Sequence, residues 1–141
     1  MLPLTEVQTA IYNALTPALA PVPVIDQAGP NQEYPYCTIG EFVGGHDDLL
    51  TEQAVNLDVT VHCWSRQPGM QECQQLMTKA KDAIDRAVLP VTGFQWVTTI
   101  WTYAQTLREL DGETRHGILR FSVMTFKEAV SVQQSAVSLT R

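Results

Sequence analysis

Between Ala54 and Trp64 the chain alternates without a break. Val55, Leu57, Val59, Val61 and Cys63 take one parity, and Asn56, Asp58, Thr60, His62 and Trp64 take the other. Successive strand side chains point to opposite faces, so this run predicts a strand with one dry face and one polar face. From Gly69 to Val88 the period changes. Cys73, Leu76, Met77, Ala80, Ile84 and Ala87 recur at helical spacing, which predicts an amphipathic helix closed by Pro90 and Gly93. A first helix is predicted over Glu6–Leu15. Val7, Ile11 and Leu15 share a face, Thr5 and Gln8 have capping-box spacing, and Thr16-Pro17 is the expected stop.

The remaining segments fit around these. Val22–Ile25, in a proline-rich passage, predicts an edge strand, where missing donors do no harm. Gln27–Tyr34 reads as a loop, Pro35–Val43 as a strand, and Gly44–Glu52 as a long loop or hairpin tip. Leu49 and Leu50, adjacent and apolar in that Gly- and Asp-rich loop, are expected to be covered by a partner. Phe94–Leu110 and Glu113–Phe126 predict a long hairpin around Asp111-Gly112, a pair suited to the positive φ angles of a two-residue turn. From Ala129 onward the chain is rich in Ser, Gln and Val. The expected organisation is one domain over residues 1–128, with a flexible or partner-ordered tail over 129–141.

This order predicts an α+β fold: a mostly antiparallel sheet with two helices packed on one face. Leu57, Val59, Val61, Leu76, Ile84, Phe121 and Val123 are the expected core. Two helices cover one face of such a sheet, so the second must be solvated or covered by something else.

Composition narrows the function classes. A length of 141 residues, 45% hydrophobic and 17% charged, fits one folded domain. With a net charge of -6, the chain lacks the basic footprint of a nucleic-acid binder, and a phosphate backbone would be repelled. No apolar run approaches the roughly 20 residues of a membrane span, and no export signal is visible at the N-terminus. Cys37, Cys63 and Cys73 lie inside apolar patterns and read as reduced, buried thiols of a cytosolic setting.

Catalytic, cofactor and metal chemistry find no support in the motifs. His46, His62 and His116 are scattered, no helical histidine pair or C-x-x-C exists, and no glycine loop has Walker spacing. His62 and Cys63 point to opposite faces and read as a surface histidine beside a core cysteine. Asp47-Asp48 reads as a solvated charge pair.

The hairpin is less ordinary. A two-residue turn at Asp111-Gly112 sets Arg108 opposite Arg115, Leu107 opposite His116, Tyr103 opposite Arg120, Trp101 opposite Ser122 and Val97 opposite Phe126. One face then carries Ala104, Leu119, Thr102, Phe121, Ile100 and Val123, as a core would. The other carries Trp101, Tyr103, His116, Ile118, Arg120, Met124 and Phe126, with Arg108 and Arg115 near the turn. That mixture fits an interface core, and equally an amphipathic surface strand whose Arg stems cover aromatics.

The chain resembles the tail-completion, or tail-terminator, family of long-tailed phages and phage-derived particles. The resemblance rests on four features in order. They are an N-terminal helix leading into a proline-containing extended stretch; Tyr34-Pro35-Tyr36-Cys37-Thr38-Ile39-Gly40-Glu41; the alternating strand ending in Trp64 and passing through Gly69 into a helix; and Asp111-Gly112 followed by Thr114-Arg115-His116-Gly117-Ile118-Leu119-Arg120-Phe121. The resemblance implies a non-enzymatic assembly protein without cofactor. It would form a ring, typically of six copies, at the head-proximal end of the tail in the virion, after assembly in the host cytoplasm. Its partners would be its own copies, the tail tube protein and a head-tail connector protein. DNA would pass through without sequence-specific binding, and no membrane is involved. The interface would include Leu49, Leu50, Trp101, Tyr103, Arg108, Arg115, His116, Ile118, Arg120 and Phe126. A small enzyme or ligand-binding domain, with a pocket near Asp58, His62 and Trp64, is the alternative of a different class.

Overall fold

A computed structural model describes residues 3–46 and 54–127. Leu49, Leu50, the Asp47-Asp48 pair and the tail over 129–141 lie outside the described residues. The elements are α1 (Leu4–Leu19), β1 (Val24–Ile25), β2 (Tyr36–His46), β3 (Ala54–Ser65), α2 (Gln71–Ile84), β4 (Phe94–Arg108) and β5 (Arg115–Lys127). They build a five-stranded sheet of order β1-β2-β3-β5-β4, antiparallel except for the β1–β2 pair. Both helices contribute to a single core against one sheet face, as expected of the α+β class.

The alternation in β3 is realised. Leu57, Val59, Val61 and Cys63 are fully buried, and Asp58 between them is exposed. They meet the α2 stripe of Cys73, Leu76, Met77, Ala80 and Ile84, and Phe121 and Val123 of β5. The whole expected core is therefore buried together. At Gly117 side chains of α2 fill the space a Cβ would take: it would lie 2.5 Å from the Met77 Sδ and 3.0 Å from the Cys73 Sγ, so a neighbour would have to shift.

The helices differ from expectation at their ends. α1 does not stop at Thr16-Pro17 but runs through Pro17 to Leu19. A proline inside a helix costs about 3 kcal/mol. The extra turn places Leu19 in the core, which recovers about 1.5–3 kcal/mol. The Thr16 hydroxyl meanwhile donates to the Tyr12 carbonyl at 2.8 Å. The capping box is absent: Pro3 is the N-cap, and the Gln8 amide donates to Asp26 Oδ1 at 2.9 Å instead. α2 is shorter than its pattern. It ends at Ile84 because Asp85 is extended and Arg86 is left-handed (φ 62°), where the Arg86 N–H donates to the Thr99 carbonyl at 2.8 Å.

β2 continues to His46, taking in residues 44–46 that read as loop. It bulges between Gly40 and Phe42, and Glu41 there has a positive φ of 40°. Such a bulge takes a residue out of the ladder and re-aims its side chain.

The β4–β5 hairpin keeps the expected register near the turn: Arg108↔Arg115, Leu107↔His116 and Tyr103↔Arg120. The turn itself is not a two-residue one. The Glu109 N–H donates to Thr114 O at 2.9 Å and the Gly112 N–H to Glu109 O at 3.0 Å, so Leu110 and Asp111 are the central pair and Gly112 (φ 76°) follows them. Asp111 holds this loop, its Oδ1 accepting from the Glu113 and Thr114 N–H groups at 2.8 Å each and its Oδ2 from the Thr114 hydroxyl at 2.6 Å.

Further along β4, bulges between Trp101 and Tyr103 and between Trp96 and Thr98 shift the pairing. Trp101 pairs with Phe121 rather than Ser122, and Phe126 with Gln95 rather than Val97. One inserted residue turns the strand over, so Trp101 lies on the helix side of the sheet, with the Lys81 ammonium of α2 5.6 Å from its ring centroid. Ala104 and Thr102, expected in the core, are exposed, Thr102 being the residue inserted at the bulge between Trp101 and Tyr103.

Candidate interaction face and histidine relay

On the face that carries no helix, the strand register sets side chains in rows. The first row is Tyr36, Trp64, His116 and Leu107; the second is Thr38, His62, Ile118 and Gln105; the third is Gly40, Thr60, Arg120 and Tyr103. Ser122, Met124 and Phe126 continue along β5 beyond them, and the Ser122 hydroxyl donates to Asn56 Oδ1 at 2.9 Å. Of the residues expected at an interface, Tyr103, His116, Ile118, Arg120 and Phe126 come together here. Arg115 does not: it shares the parity of Gly117 and Leu119, on the side opposite His116, as does its partner Arg108.

The first two rows form an aromatic stack. Trp64 lies on His116 with centroids 3.8 Å apart and planes 11° from parallel. Tyr36 stacks on the other side of Trp64 at 6.1 Å, and Tyr34 tilts against Tyr36 at 5.0 Å. Burial pushes the Tyr36 phenol up to about 12, with a contribution from its hydrogen bond to Tyr34, so it stays protonated.

His62 is not the plain surface histidine expected from its neighbour Cys63. Its side chain is 14% exposed. Its Nε2 lies 2.6 Å from Glu41 Oε1 and its Nδ1 2.6 Å from His116 Nε2. His116 Nδ1 in turn lies 2.8 Å from Glu109 Oε1. Burial, assisted by the neighbouring His62, holds the His116 ring below the usual histidine value against the opposing pull of Glu109 and Glu41. The sequence held signals for both glutamates. Glu41 follows a glycine inside a strand, a mark of a bulge. Glu109 follows Leu107, opposite His116, by two residues across the turn.

Asp58 belongs to neither the stack nor the relay. It is exposed and four residues along β3 from His62, about 13 Å in an extended strand. The pocket imagined around Asp58, His62 and Trp64 therefore does not converge. Among the described residues, no group of three or more His, Cys, Asp or Glu is placed to hold a metal ion. No helix among them is long and apolar enough to cross a membrane.

Arg120 and Tyr103 make the third row amphipathic, the guanidinium carbon lying 4.8 Å from the ring centroid. At the turn end, Arg66 donates to the Thr114 hydroxyl at 3.1 Å, approaches Asp111 Oδ2 at 3.7 Å and covers the Tyr34 ring at 4.3 Å. Arg115 donates to the Glu113 carbonyl, while its Nε is buried without a partner.

Beneath the face, Cys37 and Cys63 stand opposite each other with sulfurs 3.5 Å apart, and all three cysteines are free and buried. The contact with Cys37, then burial, raises the Cys63 thiol well above its usual value. Burial raises Cys73 to about 11. All three lie in the apolar core, as their sequence context indicated.

The sheet thus carries a helical layer on one side and an aromatic, arginine-bearing face on the other. The family model for tail completion protein gp17 matches residues 9–125, and the chain belongs to that family, whose part in phage tail assembly is structural. The tail completion protein gp17 of Bacillus phage SPP1 is similar to it, 26% identical over 97 residues that make up 69% of this chain and 72% of the relative. Two solved structures share the fold. One chain is from the virion of a native gene transfer agent particle, with TM-score 0.77, 16% identity, and coverage of 87% of this chain and 96% of that one. The other is the SPP1 gp17 structure, with TM-score 0.53, 22% identity and 90% coverage of both chains.

Proposed function

We propose that the chain acts as a ring of identical copies, six in number, at the head-proximal end of the tail tube, where it ends tube growth and offers a surface for head joining. The observation that carries this reading is the helix-free face, where Ile118, Met124 and Phe126 are half-buried and Arg120 lies open over Tyr103. Apolar patches rimmed by polar groups mark contact sites on folded proteins. With 15 acidic against 9 basic residues, identical copies supply the carboxylates that a guanidinium grips in a bidentate fork. The same acidic balance suits a lumen through which DNA slides without sticking. The other partners in this reading are the tail tube protein and a head connector, and its place is the virion, after assembly in the host cytoplasm.

The test is the double variant Ile118→Ser with Arg120→Glu, assembled into tails. It should fold and remain soluble, yet yield tails of uncontrolled length that do not join heads, as seen by negative-stain microscopy. Normal-length, head-competent tails from a folded variant would sink the reading.

A further inference from the structure

Glu41, His62, His116 and Glu109 make an unbroken hydrogen-bonded line across the open face, with heavy-atom separations of 2.6, 2.6 and 2.8 Å. Its protons can be counted. An ionised carboxylate only accepts, so the outer contacts require N–H groups at His62 Nε2 and His116 Nδ1. A neutral imidazole carries one N–H. With both spent on the glutamates, His62 Nδ1 and His116 Nε2 would face each other as two lone pairs, and the central bond would not exist. Two imidazolium rings would set two N–H groups against each other there. One additional proton, and no more, satisfies all three contacts.

We propose that this line is a proton-binding site, in which the histidine pair shares one positive charge between two glutamates and thereby ties the β4–β5 loop to the bulge of β2.

The separation itself argues against a metal. An ion bound tetrahedrally at about 2.0–2.1 Å from each nitrogen would hold them about 3.3 Å apart, not the 2.6 Å seen here. The count closes when the extra proton sits on the His62 ring. His62 then donates both ways, to Glu41 and to His116, and His116 donates to Glu109. When the proton leaves, it exits through Glu41, whose side chain is 69% exposed. Other charged groups on this face are Arg66, engaged with Asp111 and Tyr34, Arg120 over Tyr103, and exposed Asp58; Tyr36 and Trp64 are the neutral walls. Loss of the proton removes the central bond, so that Glu109, the residue that leads into the loop, stays bonded to His116 but is no longer tied through His62 to β2. The site does not depend on the ring reading, although Ile118 and Arg120 lie beside it.

Imidazole nitrogen resonances of the full chain test this. At about pH 7.5 a histidine of ordinary basicity is roughly one-tenth protonated, whereas the hydrogen-bonded pair should hold its one extra proton in most molecules. His116→Phe keeps a ring under Trp64 but removes the central acceptor, and Glu109→Gln keeps an acceptor but removes charge. In each the midpoint for loss of the extra proton should fall. Backbone exchange over residues 109–116, corrected for the intrinsic effect of pH, should rise by about tenfold or more once the proton is lost. Two neutral rings at about pH 7.5 in the unaltered chain would overturn the proposal. So would a midpoint unmoved in both variants, exchange that ignores the titration, or a response abolished by chelator and restored by zinc.

Discussion

Gly117 and Met77 are packed so tightly that β5 and α2 meet through the absence of a side chain. A methyl group at Gly117 would stand 2.5 Å from the Met77 sulfur and 2.7 Å from its Cγ. Overpacking of this kind forces side chains off their rotamers. Gly117→Ala should therefore cost about 1–3 kcal/mol in urea denaturation. Adding Met77→Ala should cost less than the sum of the two single changes, because the clash and the methionine leave together. Strict additivity would place the cause elsewhere.

Leu76 is buried in the α2 stripe against the sheet. Leu76→Ala should lower stability by about 2–5 kcal/mol, since the cavity adds to the lost transfer energy. A melt unchanged from the parent would mean that α2 does not present this face to the core.

Acid should loosen the hairpin loop in a defined window. Hydrogen bonds from Thr114 and Glu113 hold the Asp111 carboxyl down to about 2, against an ordinary 3.8. A depressed carboxyl stabilises the fold above its unfolded value and loses that contribution as pH falls through the folded one. The loss attributable to Asp111 should thus fall between about pH 4 and pH 2. Asp85, also depressed by its bonds from Trp101 and Lys81, contributes in the same direction. The difference between the stability-versus-pH curves of the parent and Asp111→Ala isolates the loop. Parallel curves would show that Asp111 contributes nothing.

Asp85 also guards a strand edge. Its Oδ1 accepts the Trp101 N–H at 2.8 Å and its Oδ2 lies 3.4 Å from the Lys81 ammonium. Asp85→Ala leaves that N–H free on an edge strand, a template for pairing with another chain. Sedimentation should show greater self-association of the variant at equal concentration. An unchanged monomer fraction would mean that the edge is protected by other means.

How far the sequence could be read depended on whether a pattern was local. The β3 alternation and the α2 stripe were legible because each repeats its own period against a single neighbouring layer. The register near the turn was legible too, since Leu107↔His116 and Tyr103↔Arg120 follow from counting back from Asp111-Gly112. Counting failed at Trp101. A bulge inserts one residue for reasons of sheet curvature and packing that leave little trace in the pattern, and every side chain past it changes face. Pro17 misled in the same way: its local cost was offset by the burial of Leu19, a tertiary effect. Of the relay, His62 and His116 could be put on one face, but Glu41 required the β2 bulge and Glu109 the true geometry of the turn.

The capped edge of β4 bears on how copies of this chain can combine. The Thr99 carbonyl is taken by Arg86, the Trp101 N–H by Asp85, and the Tyr103 carbonyl by the Trp101 indole at 3.0 Å. An open edge invites indefinite addition, strand upon strand, with no natural last member. Here the main chain has spent those valences within its own subunit over this stretch. In the proposed ring, joining across this edge would rely on side chains, whose fit fixes an angle between neighbours, and a fixed angle is what would let the array close on itself instead of running on.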